Sequence, residues 1–98
     1  MSGPRSFPPH AQTGAGSLKA KKSESSVLLA ENPARVKFVI SPDPEHSVWI
    51  AYGTAAVKGK GICIEGGAKF PYTEESWLGE VTIIGDGTNE PEIAFIEV

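Results

Sequence analysis

Asn32-Pro33-Ala34-Arg35 is the stretch that decides the fold, because the chain changes character there. Before this stretch, about thirty residues hold few apolar side chains and no lasting pattern. After it, nearly every segment is a short run of apolar residues bounded by Gly, Pro or Asp, which is typical of β-strands. The sequence therefore predicts a small β-structured body preceded by an N-terminal segment without a fold of its own.

Short apolar runs follow one another at a spacing of roughly ten residues, which favours a sandwich or a small barrel. Gly85-Asp86-Gly87 predicts a tight hairpin before the last run. Residues 74–78 fit either one helical turn or a loop, and no stretch shows helical periodicity over ten residues. We predict an all-β fold, a small antiparallel β-sandwich or barrel of six to seven strands with an extended N-terminal arm. The runs cover residues 27–30, 36–40, 48–52, 62–64, 70–72, 81–83 and 93–98.

Two regions follow from composition, a flexible basic arm over residues 1–25 and a β-sandwich domain over residues 26–98. The arm is rich in Ser, Gly, Pro and Lys, and Phe7 and Leu18 are its only large apolar residues. Such a segment cannot offset its ordering entropy by burial. Residues 1–35 carry five basic and two acidic side chains, a net charge of +3, whereas residues 36–98 carry four and ten, a net charge of −6. A cationic arm on an acidic body indicates an acidic partner for the arm.

Composition also restricts the chemistry available to the chain. The single Cys63 excludes an internal disulfide and a cysteine-based zinc site. We expect no secretory signal, because residues 1–9 lack an apolar region, and no apolar run approaches the length of a membrane span. A body of about 63 residues is marginally stable alone, so we predict stabilisation by copies of itself or by a scaffold.

The polar clusters do not assemble a recognisable active site. Asp43, Glu45 and His46 lie in a proline-bounded turn without a further ligand at metal-binding spacing. Lys58-Gly59-Lys60-Gly61 lacks the strand, loop and helix context of a phosphate-binding loop. We therefore predict no enzymatic activity, no cofactor and no metal site.

Lysines and aromatic residues are the candidate contact residues. Three arm lysines without interleaved aromatic residues favour a solvated or protein-binding tail over nucleic acid. Trp49 alternates with the apolar residues of its run, and core packing is slightly favoured over an interface role for it. For Trp77, beside two glutamates, core and interface are equally compatible with the sequence. The arm lysines are Lys19, Lys21 and Lys22, and the possible interface residues are Trp49, Tyr72 and Trp77.

Turn and strand residues over about two-thirds of the chain, residues 32–98, resemble a family of small β-sandwich proteins from tailed bacteriophages. Members of that family are encoded among virion structural genes and are often head-associated. The chain departs from the family pattern at residues 41–44 and 72–77. The matching positions are Asn32-Pro33-Ala34-Arg35, Ile40-Ser41, residues 48–53, Ala56-Val57, Gly59, Gly61, Ile62, Gly66-Gly67, Phe70 and residues 78–81.

The resemblance implies a virion structural protein without catalytic residues. We expect a capsid decoration or cement protein that binds the outer capsid surface and stabilises the shell with its N-terminal arm. The expected partners are the major capsid protein and further copies of the chain, with a trimer favoured, and neither nucleic acid nor a membrane. The expected location is the virion capsid surface, after assembly in the host cytoplasm. The expected capsid-binding arm residues are Arg5, Phe7, Leu18, Lys19, Lys21, Lys22, Val27 and Leu28.

A head-fibre or tail-associated module that binds host-surface carbohydrate or a receptor is the alternative. In that interpretation, Tyr72 and Trp77 would stack on sugar rings, and Glu74 and Glu75 would accept hydrogen bonds from sugar hydroxyls.

Overall fold

The computed structural model describes residues 14–98, which form eight β-strands and no helix. Most strands begin or end beside Gly, Pro, Asp or Asn, which break the extended backbone. The strands are β1 Gly14–Lys19, β2 Ser26–Leu29, β3 Phe38–Ile40, β4 Val48–Tyr52, β5 Ile62–Ile64, β6 Tyr72–Glu74, β7 Val81–Ile84 and β8 Glu92–Glu97.

These strands form two four-stranded sheets, both antiparallel throughout. The first sheet has the order β1-β8-β3-β6 and the second has the order β2-β7-β4-β5. Strand pairs join β1 to β8, β2 to β7, β3 to β6 and β4 to β5, so the two halves of the chain run alongside each other like one long hairpin. Rolled into two sheets, a hairpin of this kind is an eight-stranded jelly roll.

The prediction of an all-β, antiparallel two-sheet body is confirmed, but the body has eight strands instead of six to seven. The additional strand is β1, which the sequence placed in an arm over residues 1–25. Ala20 is fully buried in the core, its N–H donates to the Pro91 carbonyl at 2.9 Å, and the Gly85 N–H donates to the Lys21 carbonyl at 2.7 Å. Residues 14–25 therefore belong to the folded body, and the rest of the predicted arm, residues 1–13, lies outside the described part of the chain.

Strand β1 is difficult to recognise in the sequence because most of its inward-facing positions are glycine. Gly16 pairs with Phe95 on β8, and a Cβ at Gly16 would lie 3.1 Å from the Phe95 ring. The ring therefore packs across the glycine backbone, while Leu18 is the one large side chain that β1 adds to the core. Strand β1 is stabilised by backbone pairing with β8 and by the Phe95 ring of that strand. It therefore lacks the alternating apolar residues by which a strand is recognised in a sequence.

The predicted hairpin at Gly85-Asp86-Gly87 is wrong, because β7 belongs to the second sheet and β8 to the first. The Asp86 carboxylate accepts the N–H groups of Thr88 and Asn89 at 2.8 and 2.9 Å. These bonds stabilise a wider turn that carries the chain from one sheet to the other. Residues 75–80 form a loop without helical structure.

The core lies between the two sheets and consists of aliphatic side chains around one phenylalanine. Alternation along each strand directs these residues inward, because neighbouring side chains point to opposite faces. Seven of them are fully buried, namely Phe38, Ile40, Val48, Ile50, Val81, Ile83 and Ile93.

One end of the sandwich is held by Arg35, whose side chain has no exposed surface. Its Nε donates to the Glu97 carboxylate at 2.9 Å. Its Nη1 donates to the carbonyls of Trp77 and Gly79 at 3.1 and 2.9 Å, and its Nη2 donates to the Ala30 carbonyl at 2.7 Å. One guanidinium thus joins the chain after β2, the loop before β7 and strand β8. Only a planar group with several fixed donors can serve all of these acceptors.

Asn32 prepares the backbone for this arrangement. Its Oδ1 accepts the Ala34 N–H at 3.1 Å and its carbonyl accepts the Arg35 N–H at 3.0 Å, which forms a tight turn. Its own N–H donates to the Leu78 carbonyl at 2.8 Å. The guanidinium also lies 5.5 Å from the centre of the Phe38 ring, a cation–π contact. The stretch that marks the change of character in the sequence is therefore the junction of three chain segments.

Replacing Arg35 with Met should lower the free energy of unfolding by about 3 kcal/mol, because buried carbonyls and a carboxylate lose their donor. Glu97→Gln keeps an acceptor for Arg35 and should cost about 1 kcal/mol. Urea unfolding followed by tryptophan fluorescence measures both. Equal losses for the two variants would contradict the account of Arg35 as a shared donor.

Removing residues 1–13 should leave the free energy of unfolding within about 0.5 kcal/mol of the full chain, because the folded body stays whole. Removing residues 1–19 should cost at least about 2 kcal/mol, since Leu18 leaves the core and β8 loses its neighbour. Thermal unfolding of the two truncated chains compares them directly. A chain lacking residues 1–19 that is as stable as the full chain would show that β1 contributes nothing to the fold.

Candidate interaction surfaces

The outer side of the second sheet is covered by the chain itself. Residues 53–61, here called the flap, fold back over β7 after β4 ends. The Thr82 hydroxyl donates to the Thr54 carbonyl at 2.6 Å, and the Ala56 N–H donates to the Ser25 hydroxyl at 2.9 Å. Ala56 and Thr82, which make these bonds, are both buried. The flap returns at Gly61, where φ is 88° and a Cβ would lie 2.6 Å from the Ile50 carbonyl oxygen, so glycine is required.

The outer side of the first sheet carries no such cover from residues 14–98. Strand alternation directs Ile96 outward, where 47% of its surface is exposed, and Val36 just before β3 is 62% exposed. Strand pairing aligns Ala15, Ile96, Val39 and Thr73 in one row across the sheet. This surface, here called the open face, lacks aromatic side chains. It consists of Ala15, Ser17, Val39, Thr73, Ala94 and Ile96.

Lysines border the open face on the β1 side. Lys19 pairs with Glu92 at the end of β1. Lys21 and Lys22 follow in the connection to β2, and all three lysines are exposed. The Lys21 Nζ lies 3.9 Å from the Glu24 carboxylate, an exposed pair that contributes little to stability. The three lysines that the sequence assigned to the arm therefore lie on the folded body.

The apolar residues predicted as docking anchors are found in different environments. Leu18 packs against the core and Leu28 is part of it, so their assignment as anchors for a partner is wrong. Leu28 is drawn inward by an irregularity in the pairing of β2 with β7, which buries both Leu28 and Leu29. Val27 is half-exposed on the outer side of β2. Arg5 and Phe7 lie outside the described residues.

Aromatic side chains form a cluster at the end of the sandwich near Arg35. The Trp77 and Tyr52 rings are stacked with centres 5.3 Å apart, and the Trp77 Nε1 donates to the Glu80 carbonyl at 2.9 Å. The hydroxyls of Tyr52 and Tyr72 are hydrogen-bonded to each other. Burial, reinforced by this bond, raises the pKa of Tyr52 far above its ordinary value.

This cluster bears on the carbohydrate interpretation of Tyr72 and Trp77. Both side chains are partly buried against the core, and one face of the Trp77 ring and its N–H are already engaged within the chain. The Glu74 carboxylate accepts the N–H and hydroxyl of Ser76, and these bonds lower its pKa. The groups that would contact a sugar are therefore used in packing and in a local turn.

Trp49 lies outside the core cluster, half-buried on the outer side of the second sheet. It pairs across strands with Ile84 on β7 and with Cys63 on β5. Desolvation, together with the charge of Glu65, raises the pKa of the exposed Cys63 thiol. The thiol is therefore protonated at neutral pH and weakly nucleophilic.

The polar turn at residues 43–46 is stabilised by its own hydrogen bonds. The Asp43 carboxylate accepts the N–H groups of Glu45 and His46, both at 2.9 Å, and lies 3.1 Å from the His46 Nδ1. The bond from the Glu45 backbone is the main cause that lowers the pKa of Asp43. Among residues 14–98 there is no group of three or more His, Cys, Asp or Glu residues placed to hold a metal ion.

A shallow cavity opens between the edge strands β5 and β6, which lie on the opposite side of the sandwich from β1 and β2. Its volume is about 290 Å³. Phe70 stands at its margin with 77% of its surface exposed. This site forms because β5 and β6, the edge strands of different sheets, lie near each other in the folded chain. In the sequence, only the Phe70-Pro71 pair gave an indication of it. The cavity, here called the edge groove, is lined mainly by Ile64, Glu65, Ala68, Phe70, Pro71 and Tyr72.

No protein-family model, curated protein or solved structure matches this chain. Within residues 14–98, no helix is long and apolar enough to cross a membrane.

Trp77→Leu should lower the free energy of unfolding by about 2 kcal/mol, because the stack on Tyr52 and the bond to Glu80 are lost. Trp49→Leu, at a half-buried outer position, should cost less than about 1 kcal/mol. Each variant keeps one tryptophan, so fluorescence during urea unfolding measures both. The reverse order of stability would contradict the placement of the two rings.

Proposed function

We propose that this chain is a virion structural protein of a tailed bacteriophage, a decoration protein that binds the outside of the capsid through its open face. The resemblance of residues 32–98 to small head-associated sandwich proteins supports this proposal. The jelly-roll topology agrees with it, because this topology is frequent in viral capsid proteins. Since many unrelated functions use the same fold, the surfaces of the body are what distinguish one function from another.

The proposal depends on one difference between the two sheets: the flap covers the outer side of the second sheet, and no part of residues 14–98 covers the outer side of the first. The flap covers Thr82 on the outer side of the second sheet, and Thr82 is buried. On the first sheet, Ile96 remains exposed among small side chains. An exposed sheet surface of this kind suits contact with another large protein surface better than capture of a small ligand, which needs a concave pocket.

The size of the open face indicates that attachment requires several copies. Two strands of six residues and two of three residues, about 4.8 Å apart and with about 3.3 Å per residue, give a surface of roughly 300 Å². A standard stable interface buries about 800 Å² on each partner. One body therefore binds weakly, and a homo-oligomer that presents several open faces raises the effective concentration of each further contact. A trimer remains the favoured assembly.

Charge adds a second contribution to attachment. Lys19, Lys21 and Lys22 lie along the β1 side of the open face and can approach acidic residues of the major capsid protein. Exposed charges of this kind mainly accelerate association and are weakened by salt. Binding to capsids is therefore expected to decrease as the salt concentration rises, while the apolar contact at Ile96 remains.

Ile96→Lys should weaken binding to empty capsids of the encoding phage at least about tenfold, because a charge is placed in the centre of an apolar contact. Val57→Lys is the matched control, since Val57 is 48% exposed on the flap and Ile96 is 47% exposed. Both variants should unfold within about 0.5 kcal/mol of the natural chain. Co-sedimentation with capsids measures binding. Undiminished binding of the Ile96 variant, or an equal loss for both, would refute the assignment of the open face.

A further inference from the structure

We propose that residues 1–13 of one copy bind in the edge groove of a neighbouring copy, with Phe7 as the apolar anchor, so that the copies close into a ring. This interaction goes beyond attachment to a capsid, because it occurs between copies of the chain alone. It also gives the N-terminal arm a partner other than the capsid.

The edge groove has the composition of a site for an extended, proline-containing segment. Phe70 is the most exposed large apolar side chain among residues 14–98. Its ring, Pro71 and Tyr72 line one wall of a cavity of about 290 Å³, and Ile64 and Ala68 contribute to the opposite side. Aromatic-lined grooves of this kind bind proline-rich segments, which are already extended before binding and lose little entropy.

The sequence of residues 1–13 fits this groove in shape and charge. It contains Phe7-Pro8-Pro9, in which the prolines favour an extended backbone next to an aromatic anchor. It contains no acidic residue, and Arg5 precedes Phe7 by two positions. Glu65 is the one charged residue that lines the groove. In an extended segment, Arg5 lies about 6 Å from Phe7, close enough to pair with Glu65 when Phe7 contacts Phe70.

Distance favours the groove of another copy over the groove of the same chain. Strand pairing places Gly14 level with Glu74, on the opposite edge of the first sheet. Phe70 is three strand spacings away across the sheet and four residues further along, a straight line of about 19 Å. The segment from Phe7 to Gly14 spans about 22 Å when extended, too little to pass over the outer side chains and descend between the sheets.

The positions of segment and groove determine the symmetry of the assembly. The segment enters the body at β1, and the groove lies between β5 and β6 on the opposite side. A contact between two different surfaces of the same chain is heterologous, and it forms a ring when the rotation between copies closes. A ring of three copies agrees with the trimer expected from the resemblance. The open face is not part of this contact and stays available to a capsid.

Sedimentation velocity of the full chain over a dilution series tests the proposal. The natural chain should form a discrete oligomer, and Phe7→Ala and Phe70→Ala should each weaken self-association at least about thirtyfold, as expected for an aromatic anchor and its pocket. Val57→Ala, on the flap, is the control and should associate like the natural chain. Circular dichroism should show that all three variants remain folded.

Mixing the two defective variants gives the decisive result. The Phe70→Ala chain keeps a normal segment and the Phe7→Ala chain keeps a normal groove, so an equimolar mixture should form a one-to-one dimer that grows no further. Arg5→Glu and Glu65→Arg should each weaken association, and the double variant should recover it. A monomeric natural chain, unchanged association of either phenylalanine variant, or a mixture without heterodimers would overturn the proposal. Since no capsid is used, these results are independent of the assignment of the open face.

Discussion

The buried guanidinium of Arg35 is the interaction on which the rest of the structure depends. It binds the carbonyls of Ala30, Trp77 and Gly79 and the carboxylate of Glu97, and so fixes three chain segments at one end of the sandwich. A buried ion pair is not in itself a strong source of stability, since desolvation offsets most of the attraction. Its effect here is to fix the positions of the three chain segments relative to one another. Two inter-sheet connections and the end of the last strand meet at one planar donor.

The position of β8 determines which of its side chains lie on the open face. Because side chains alternate along a strand, a shift of one residue would exchange the inner and outer faces. Glu97 and Ile93 would then point outward, and Ile96 would enter the core. By holding Glu97 inside, Arg35 keeps Ile96 on the open face and places β1 in register beside it. The outward position of Ile96 therefore follows from a contact on the other side of the sheet.

Much of the architecture could be predicted from the sequence, because it depends on local patterns. Strands β4 and β5 begin and end where the alternation of Val48 to Tyr52 and of Ile62 to Ile64 indicates. Strand β1 could not be predicted, since glycines occupy inward positions that the Phe95 ring covers. The change of sheet at Asp86 could not be predicted either, because a turn motif does not specify which strands will pair. The sequence also assigned Leu18 and Leu28 to a partner, whereas Leu18 packs against the core and Leu28 is part of it.

The candidate surfaces could not be predicted from the sequence. The open face is defined by which sheet the flap covers, and the flap is held by bonds of Thr82 and Ala56 to residues distant in the chain. The edge groove exists only because β5 and β6, in different sheets, lie side by side. The sequence named Tyr72 and Trp77 as possible interface residues, but it did not indicate their contacts with Tyr52, which the pattern presented only as one more strand position.

The orientation of the body on the particle tests the central claim most directly. A cryo-electron microscopy reconstruction of the virion that contains this chain would show which surface of the sandwich meets the shell. The account predicts density on the capsid exterior with the sheet β1-β8-β3-β6 against the capsid protein and residues 53–61 turned outward. A body that meets the capsid through residues 53–61, or that lies on the tail, would contradict it.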